Sequence, residues 1–110
     1  MNDEAIAYYE DIIDNMTLGN QWIKDTFGVE YLPTIGWQID TFGHSTSQVT
    51  IFSQMGMDAW FFSRMDYQER KKMVDNRSME FLTQSPYNNK LFTHIQYHHY
   101  SSPMNFDFEG

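Results

Sequence analysis

The chain has 110 residues, a formal net charge of −8 at pH 7 and no cysteine. This length allows at most one hydrophobic core, and a content of 41% hydrophobic and 17% aromatic residues excludes a disordered segment. With only seven Lys and Arg, a nucleic-acid partner is excluded, and without cysteine so are disulfides and thiolate metal sites. No apolar run reaches the ~18 residues of a membrane span.

Apolar residues recur at helical spacing through residues 3–27, which predicts one helix or two stacked helices, with Asn2 as N-cap and Gly28 as the stop. After Pro33, the mostly apolar run at residues 35–39 predicts a buried strand. Asp40 follows directly at the end of that strand.

A second helix of about three turns is predicted from a hydroxyl cap at Ser45 or Thr46 to Gly56. Residues 59–62 predict a strand, residues 66–74 a polar helix, and residues 79–82 and 91–95 two more strands. This alternation predicts a parallel α/β sheet with helical crossovers, either doubly wound or barrel-like. Because so few units cannot close a barrel and the tail at residues 101–110 shows no terminal helix, we expect an incomplete portion of a parallel (β/α) barrel-like domain.

Polar residues follow several predicted strands, where reacting groups gather in parallel α/β folds. Asp40 ends the first strand, and Arg64 lies just past the second, with His94 near the end of the last. A half-buried carboxylate at position 40 needs a cation, a metal or several hydrogen-bond donors. Spacing alone nevertheless favours a structural role for this Asp, as a cap of the next helix or as a turn residue, rather than a catalytic role.

Histidines and aromatic rings near the end of the chain have two interpretations. His94, His98 and His99 could be zinc ligands, but their placement on a strand and loop favours partnered or surface histidines. The rings at residues 60–62 and 97–100 could stack on sugars, although core packing is the more common role. Core packing is also favoured for Phe52, Met55 and Met57.

A more specific signal is the run Gly36-Trp37-Gln38-Ile39-Asp40-Thr41-Phe42-Gly43-His44-Ser45. It resembles the signature of the family 38 glycoside hydrolases, Trp-x-Ile-Asp-Pro-Phe-Gly-His-Ser. The resemblance extends over nearly all of residues 1–110 and is to the lysosomal type of α-mannosidase; it includes Met1-Asn2-Asp3-Glu4-Ala5, Phe61-Phe62-Ser63-Arg64-Met65-Asp66-Tyr67-Gln68 and Tyr97-His98-His99-Tyr100-Ser101-Ser102-Pro103. Residues 1–110 are thus expected to be a fragment of that family's N-terminal catalytic domain.

The resemblance implies roles for four residues. Asp40 would be both the catalytic nucleophile and a ligand of a single Zn²⁺, while Phe42, Arg64 and Tyr100 would contact substrate. The implied reaction is retaining hydrolysis of α-mannosides by double displacement. Its substrates would be mannose-containing glycans, and its location the lysosome or the secretory pathway, which fits the sequons at Asn15 and Asn76.

The chain departs from the family pattern in two ways. Thr41 replaces the usual Pro, which is expected to loosen the turn after Asp40. The other zinc ligands and the acid/base carboxylate have no counterpart and would come from the rest of the parent chain. We therefore predict that the 110 residues alone hold no stoichiometric zinc and show no mannosidase activity. The alternatives are a non-catalytic carbohydrate-binding or interaction module and a degenerate gene product.

Overall fold

The computed structural model describes residues 1–106; the last four residues of the tail, which was predicted to lack a terminal helix, lie outside the described range. Eight elements follow one another: α1 (Tyr9–Phe27), a 3-10 turn (Val29–Tyr31), β1 (Ile35–Gln38), α2 (Thr46–Gln54), β2 (Ala59–Phe62), α3 (Tyr67–Asp75), β3 (Glu80–Gln84) and β4 (Lys90–Ile95). Each helix and strand lies within a few residues of a predicted element of the same type, except at the start of α1, whereas the 3-10 turn was not predicted.

The four strands form one mixed sheet in the order β1-β2-β4-β3. β1 pairs with β2 in parallel, and so does β2 with β4, whereas β3 pairs antiparallel with β4. The prediction of a parallel sheet is therefore wrong for β3. Only residues 85–89 connect β3 to β4, which is too short for a parallel crossover but sufficient for a hairpin turn. Whether the parent domain is barrel-like stays a prediction.

The prediction that Asn2 caps the first helix is wrong, because α1 begins only at Tyr9. Asn2 is buried, and its backbone binds the side chain of Gln38 at the end of β1: its N–H donates to Gln38 Oε1 over 3.2 Å, and Gln38 Nε2 donates to its carbonyl over 2.6 Å. These bonds fix the backbone outside the helix. At the other end Gly28 stops α1 as predicted, with φ +114°.

α2 has the predicted cap at each end. The hydroxyl of Ser45 accepts the N–H of residue 47 over 3.2 Å. Gly56, with φ +84°, donates to the carbonyl of Ser53 over 3.1 Å, and Met57 donates to that of Phe52 over 3.0 Å, the pattern of a Schellman motif. This ending satisfies the last carbonyls of the helix and turns the chain towards β2.

The core lies between α2 and one face of the sheet. Phe52 is fully buried and packs so closely on β1 that a Cβ at Gly36 would lie 2.5 Å from its ring. Glycine is therefore required at that position, since only its missing side chain lets helix and strand approach. The buried apolar cluster consists of Val49, Ile51, Phe52, Met57, Trp60, Phe62, Met79, Leu91 and Ile95.

The opposite face of the sheet also carries apolar side chains, but they are exposed. Trp37, Phe92 and Leu82 keep 48%, 43% and 67% of their surface accessible. Strand register aligns Trp37 with Phe61, and Phe92 with both Ala59 and Leu82. Parallel strands are normally covered on both faces, so we call this set (Ile35, Trp37, Phe61, Leu82 and Phe92) the open face.

Candidate functional site

Three of the four predicted site residues meet at the carboxyl edge of the sheet. Asp40 lies two residues after β1, Arg64 two residues after β2, and Tyr100 five residues after β4. Because these three strands are parallel, their carboxyl ends lie at the same edge. Arg64 Nε and the hydroxyl of Tyr100 both donate hydrogen bonds to Oδ1 of Asp40, and Arg64 Nε also donates to the Tyr100 oxygen over 3.0 Å.

These contacts determine the charge state of the cluster. The hydrogen bond from Tyr100 and then that from Arg64 hold the pKa of the Asp40 carboxyl below its usual value, although partial desolvation opposes them. The same bond to Asp40 raises the pKa of the Tyr100 phenol. Asp40 is therefore an ionised, half-exposed carboxylate at neutral pH, with 38% of its side chain accessible. Such a group can act as a nucleophile or as a metal ligand.

Phe42, the fourth predicted residue, does not belong to this hydrogen-bonded cluster. It lies two residues after Asp40 and keeps 58% of its surface exposed. Within residues 1–106 its ring makes no aromatic contact with another ring, so its face is open to a ligand. An exposed ring beside a strand-end carboxylate is suited to stack on the apolar face of a sugar.

The turn after Asp40 is bonded to the backbone of Arg64. Thr41 Oγ1 donates to the Arg64 carbonyl over 3.0 Å, and His44 Nε2 lies 2.8 Å from the same oxygen. Thr41 is only 2% exposed. The expected loosening at Thr41 is thus opposed by a buried hydrogen bond. The sequence difference between Thr41 and the proline of the signature could not predict this bond.

Arg70 joins two strand ends and was missed by the sequence analysis. Its guanidinium donates to the carbonyls of Ser63 and Gln96, the residues that directly follow β2 and β4. In the sequence it stands beside Lys71 and Lys72 in the predicted polar helix, and nothing in the pattern sets it apart from them. Its side chain is partly buried, whereas those of the two lysines keep 74% and 69% exposed. Only the folded chain distinguishes it from them.

The three histidines near the end of the chain have separate partners. His94 Nδ1 lies 2.8 Å from Glu80 Oε1 across the strand pair, and His99 Nδ1 lies 3.2 Å from the hydroxyl of Ser63. The ring of His98 meets that of Tyr97 edge to face, with 4.7 Å between centroids. These partners fit the favoured interpretation of satisfied or surface histidines rather than a zinc cluster.

The same edge borders a cavity of about 580 Å³ that is rich in aromatic rings. It continues from the open face to the loop after β4, and its walls include Trp37, Phe61, His94, Tyr97 and Tyr100. Phe61 and Trp37 therefore face this cavity, whereas Trp60 and Phe62 lie in the core. Alternate residues of β2 therefore lie in the core and in the wall of the cavity, and sugar stacking by the rings of the cavity wall stays a prediction.

A metal ligand set is incomplete among the described residues. No group of three His, Cys, Asp or Glu side chains within residues 1–106 could hold a metal ion. Asp40 fits one ligand position, because both of its hydrogen bonds fall on Oδ1 and no group in residues 1–106 donates to Oδ2. Any further ligands would have to come from outside this stretch of the protein.

Residues 1–109 match the glycosyl hydrolases family 38 N-terminal domain. The chain belongs to this family. Lysosomal alpha-mannosidase of Dictyostelium discoideum is 49% identical over 112 residues, covering 99% of this chain, and that of Homo sapiens is 41% identical over 110 residues, covering 96%. The Felis catus protein of the same name is 49% identical over 80 residues, or 73% of the chain.

The family 38 chain spans only a small part of these relatives. It covers 11% of the Dictyostelium and human proteins and 8% of the cat protein. The resemblance inferred from the signature around Asp40 is thereby confirmed at the level of the family. In the part of the chain that is described, no helix is long and apolar enough to cross a lipid bilayer.

Proposed function

We propose that the chain is part of the N-terminal catalytic domain of a zinc-dependent, retaining α-mannosidase that acts on mannose-containing glycans. The observation that carries this proposal is the ionised carboxylate of Asp40, bonded through Oδ1 to Arg64 and Tyr100 within the family signature. The names of the relatives give the substrate class. They also support a location in the lysosome or secretory pathway, which agrees with exposed sequons at Asn15 and Asn76.

In the first step Asp40 would attack the anomeric carbon of the terminal mannoside through Oδ2. A bond forms between that oxygen and the carbon as the glycosidic C–O bond breaks, and a second carboxylic acid from elsewhere in the parent protonates the leaving oxygen. Arg64 and Tyr100 keep Asp40 ionised and oriented through Oδ1, so the attacking oxygen is not the one they occupy. Phe42 would offer its exposed ring to the sugar.

In the second step water would attack the glycosyl-enzyme at the same carbon. The second carboxylate takes the proton of that water, the ester bond to Asp40 breaks, and mannose leaves with its α configuration retained. Asp40 would also supply one zinc ligand, and the remaining ligands would come from the rest of the parent chain. When zinc is bound, it would polarise and orient the sugar hydroxyls.

The test is hydrolysis of an aryl α-mannoside by the full parent protein, with the product anomer followed by NMR and zinc measured by elemental analysis. We expect α-mannose as first product, and an Asp40→Asn variant should lose at least about a thousandfold in kcat. Asp58→Asn is the matched control, because Asp58 precedes β2 at the opposite end of the sheet. Activity of Asp40→Asn within a few-fold of wild type would remove this residue from the mechanism.

Assays of the isolated 110-residue chain test whether the fragment is complete, and assays of the parent protein separate the enzyme from the alternative of a carbohydrate-binding module. We expect no turnover and no stoichiometric zinc for the chain alone, because residues 1–106 contain no group of three side chains that could hold a metal ion. Turnover by the isolated chain would show that these residues contain a complete site. A parent protein that binds mannose-rich glycans without hydrolysing them would favour the module.

A further inference from the structure

The carbonyl oxygen of Arg64 is the acceptor for two side chains from the turn after β1. Thr41 Oγ1 lies 3.0 Å from it and His44 Nε2 lies 2.8 Å from it. A carbonyl can only accept, so the Nε2 of His44 must carry a proton in this contact. One backbone oxygen thus accepts hydrogen bonds from two side chains of the same turn, which are three residues apart in the sequence.

These bonds form a closed ring of contacts with the candidate nucleophile. The Arg64 side chain binds the carboxylate of Asp40, while its backbone is bound by Thr41, the residue that follows Asp40 in the chain. This ring of contacts holds both the backbone carbonyl and the guanidinium of Arg64 in place relative to Asp40. Thr41 is 2% exposed, so water cannot readily replace its hydroxyl at the Arg64 carbonyl.

The ring of His44 is exposed but contacts one ring of the core. It meets the ring of Phe62 edge to face with 5.4 Å between centroids, and Phe62 is the last residue of β2. His44 therefore spans from the turn after β1 to the end of β2. Its donor nitrogen is oriented by this packing as well as by its hydrogen bond.

We propose that Thr41 and His44 are positioning residues, which jointly hold the Arg64 backbone so that the guanidinium meets the carboxylate of Asp40. The proposal rests on the proposed function, since it assigns them to that same site. The proline of the signature would restrain this turn through its ring, whereas Thr41 restrains it through the hydrogen bond of its hydroxyl. Neither residue touches the reacting atoms.

The first test uses Thr41→Val and Thr41→Ser in the full parent protein. Valine keeps the shape and removes the hydroxyl, and serine keeps the hydroxyl. We expect Thr41→Val to lower kcat about fivefold with little change in KM, because misplaced charged groups affect the transition state most. Its acidic limb of kcat/KM should move to higher pH, as Arg64 supports the ionised form of Asp40 less well. Thr41→Ser should restore both.

The second test uses His44→Phe, which keeps the ring against Phe62 and loses the donor, and His44→Gln, which keeps a donor. Each single loss leaves one donor on the Arg64 carbonyl. The double variant Thr41→Val/His44→Phe should therefore lose about a hundredfold in kcat, more than the product of the two single losses. Circular dichroism and the melting temperature identify any variant that fails to fold.

The outcomes distinguish this inference from the proposed function. A wild-type parent without mannosidase activity contradicts the proposed function and leaves no site to position. An active parent in which Thr41→Val keeps the wild-type kcat and pH profile overturns the inference alone. So does a Thr41→Ser variant as impaired as Thr41→Val, because packing rather than the hydroxyl would then matter, or a double variant whose loss is simply the product of the single losses.

Discussion

The guanidinium of Arg64 lies over the ring of Tyr100, with 5.3 Å between Cζ and the ring centroid, while its Nε donates to the phenol oxygen over 3.0 Å. One side chain thus contacts both the π face and the hydroxyl of the tyrosine. Both residues also donate to Asp40 Oδ1, so each of the three side chains contacts the other two. Replacing any one of them therefore changes the hydrogen bonds of the remaining two.

Tyr100→Phe is expected to shift the pH dependence of the parent enzyme. Its hydroxyl is the largest cause of the lowered pKa of Asp40, so removing it raises that pKa and reduces the ionised fraction at acidic pH. The acidic limb of kcat/KM, measured with an aryl α-mannoside, should therefore move to higher pH. Tyr87→Phe, the same change at an exposed residue in the β3–β4 turn, should leave the limb in place. An unmoved limb in Tyr100→Phe would refute the assignment.

Arg70→Ala is expected to destabilise the 110-residue chain by about 2 kcal/mol, because it leaves the carbonyls after β2 and β4 without a charged donor. Lys71→Ala removes an equal charge from the same helix but breaks only an exposed pair with Asp75, so it should cost far less stability than Arg70→Ala. Urea unfolding followed by tryptophan fluorescence measures both. Equal losses would mean that Arg70 acts only through its charge.

Gly36→Ala is expected to cost about 1–3 kcal/mol, because the added Cβ would lie 2.5 Å from the fully buried ring of Phe52. Gly19→Ala offers the opposite control: no atom lies within 4 Å of its new Cβ, and α1 should gain up to about 1 kcal/mol of helix propensity. Thermal unfolding of the chain compares the two. A neutral Gly36→Ala would show that β1 and α2 can separate without cost.

The open face predicts that the isolated chain binds hydrophobic dyes and self-associates. Its rings and aliphatic side chains form a contiguous apolar surface on paired strands. Leu82→Lys and Phe92→Thr together should lower dye fluorescence and the associated fraction in sedimentation experiments without lowering the melting temperature. Tyr67→Thr, which removes an exposed ring outside this face, is the control. Unchanged association in the double variant would place the contact elsewhere.

Much of the architecture was predictable from local patterns. The strand before Asp40, the capped helix from Ser45 to Gly56 and the strand that precedes Arg64 were all expected, because apolar runs, hydroxyl caps and glycine stops act over a few residues. Since β1 and β2 are neighbours and parallel, the meeting of Asp40 and Arg64 also followed from chain order. The roles of Asp40 as nucleophile and of Arg64 as a substrate contact stay predictions.

Long-range relations were not predictable in the same way. Asn2 was expected to cap a helix, but a buried amide 36 residues away binds its backbone. The antiparallel pairing of β3 depends on the turn at residues 85–89, whereas the pattern of alternating elements suggested another crossover. Arg70 and Thr41 acquire their partners only when separate strand ends converge.

The position of β1 has a consequence for the rest of the parent protein. Within residues 1–106 it is the outermost strand on its side of the sheet, so its free backbone groups point away from β2. A further parallel strand that joined this edge would end level with Gln38 and deliver its next residues beside Asp40. Such a strand would thus decide which groups approach the carboxylate from the side opposite Arg64.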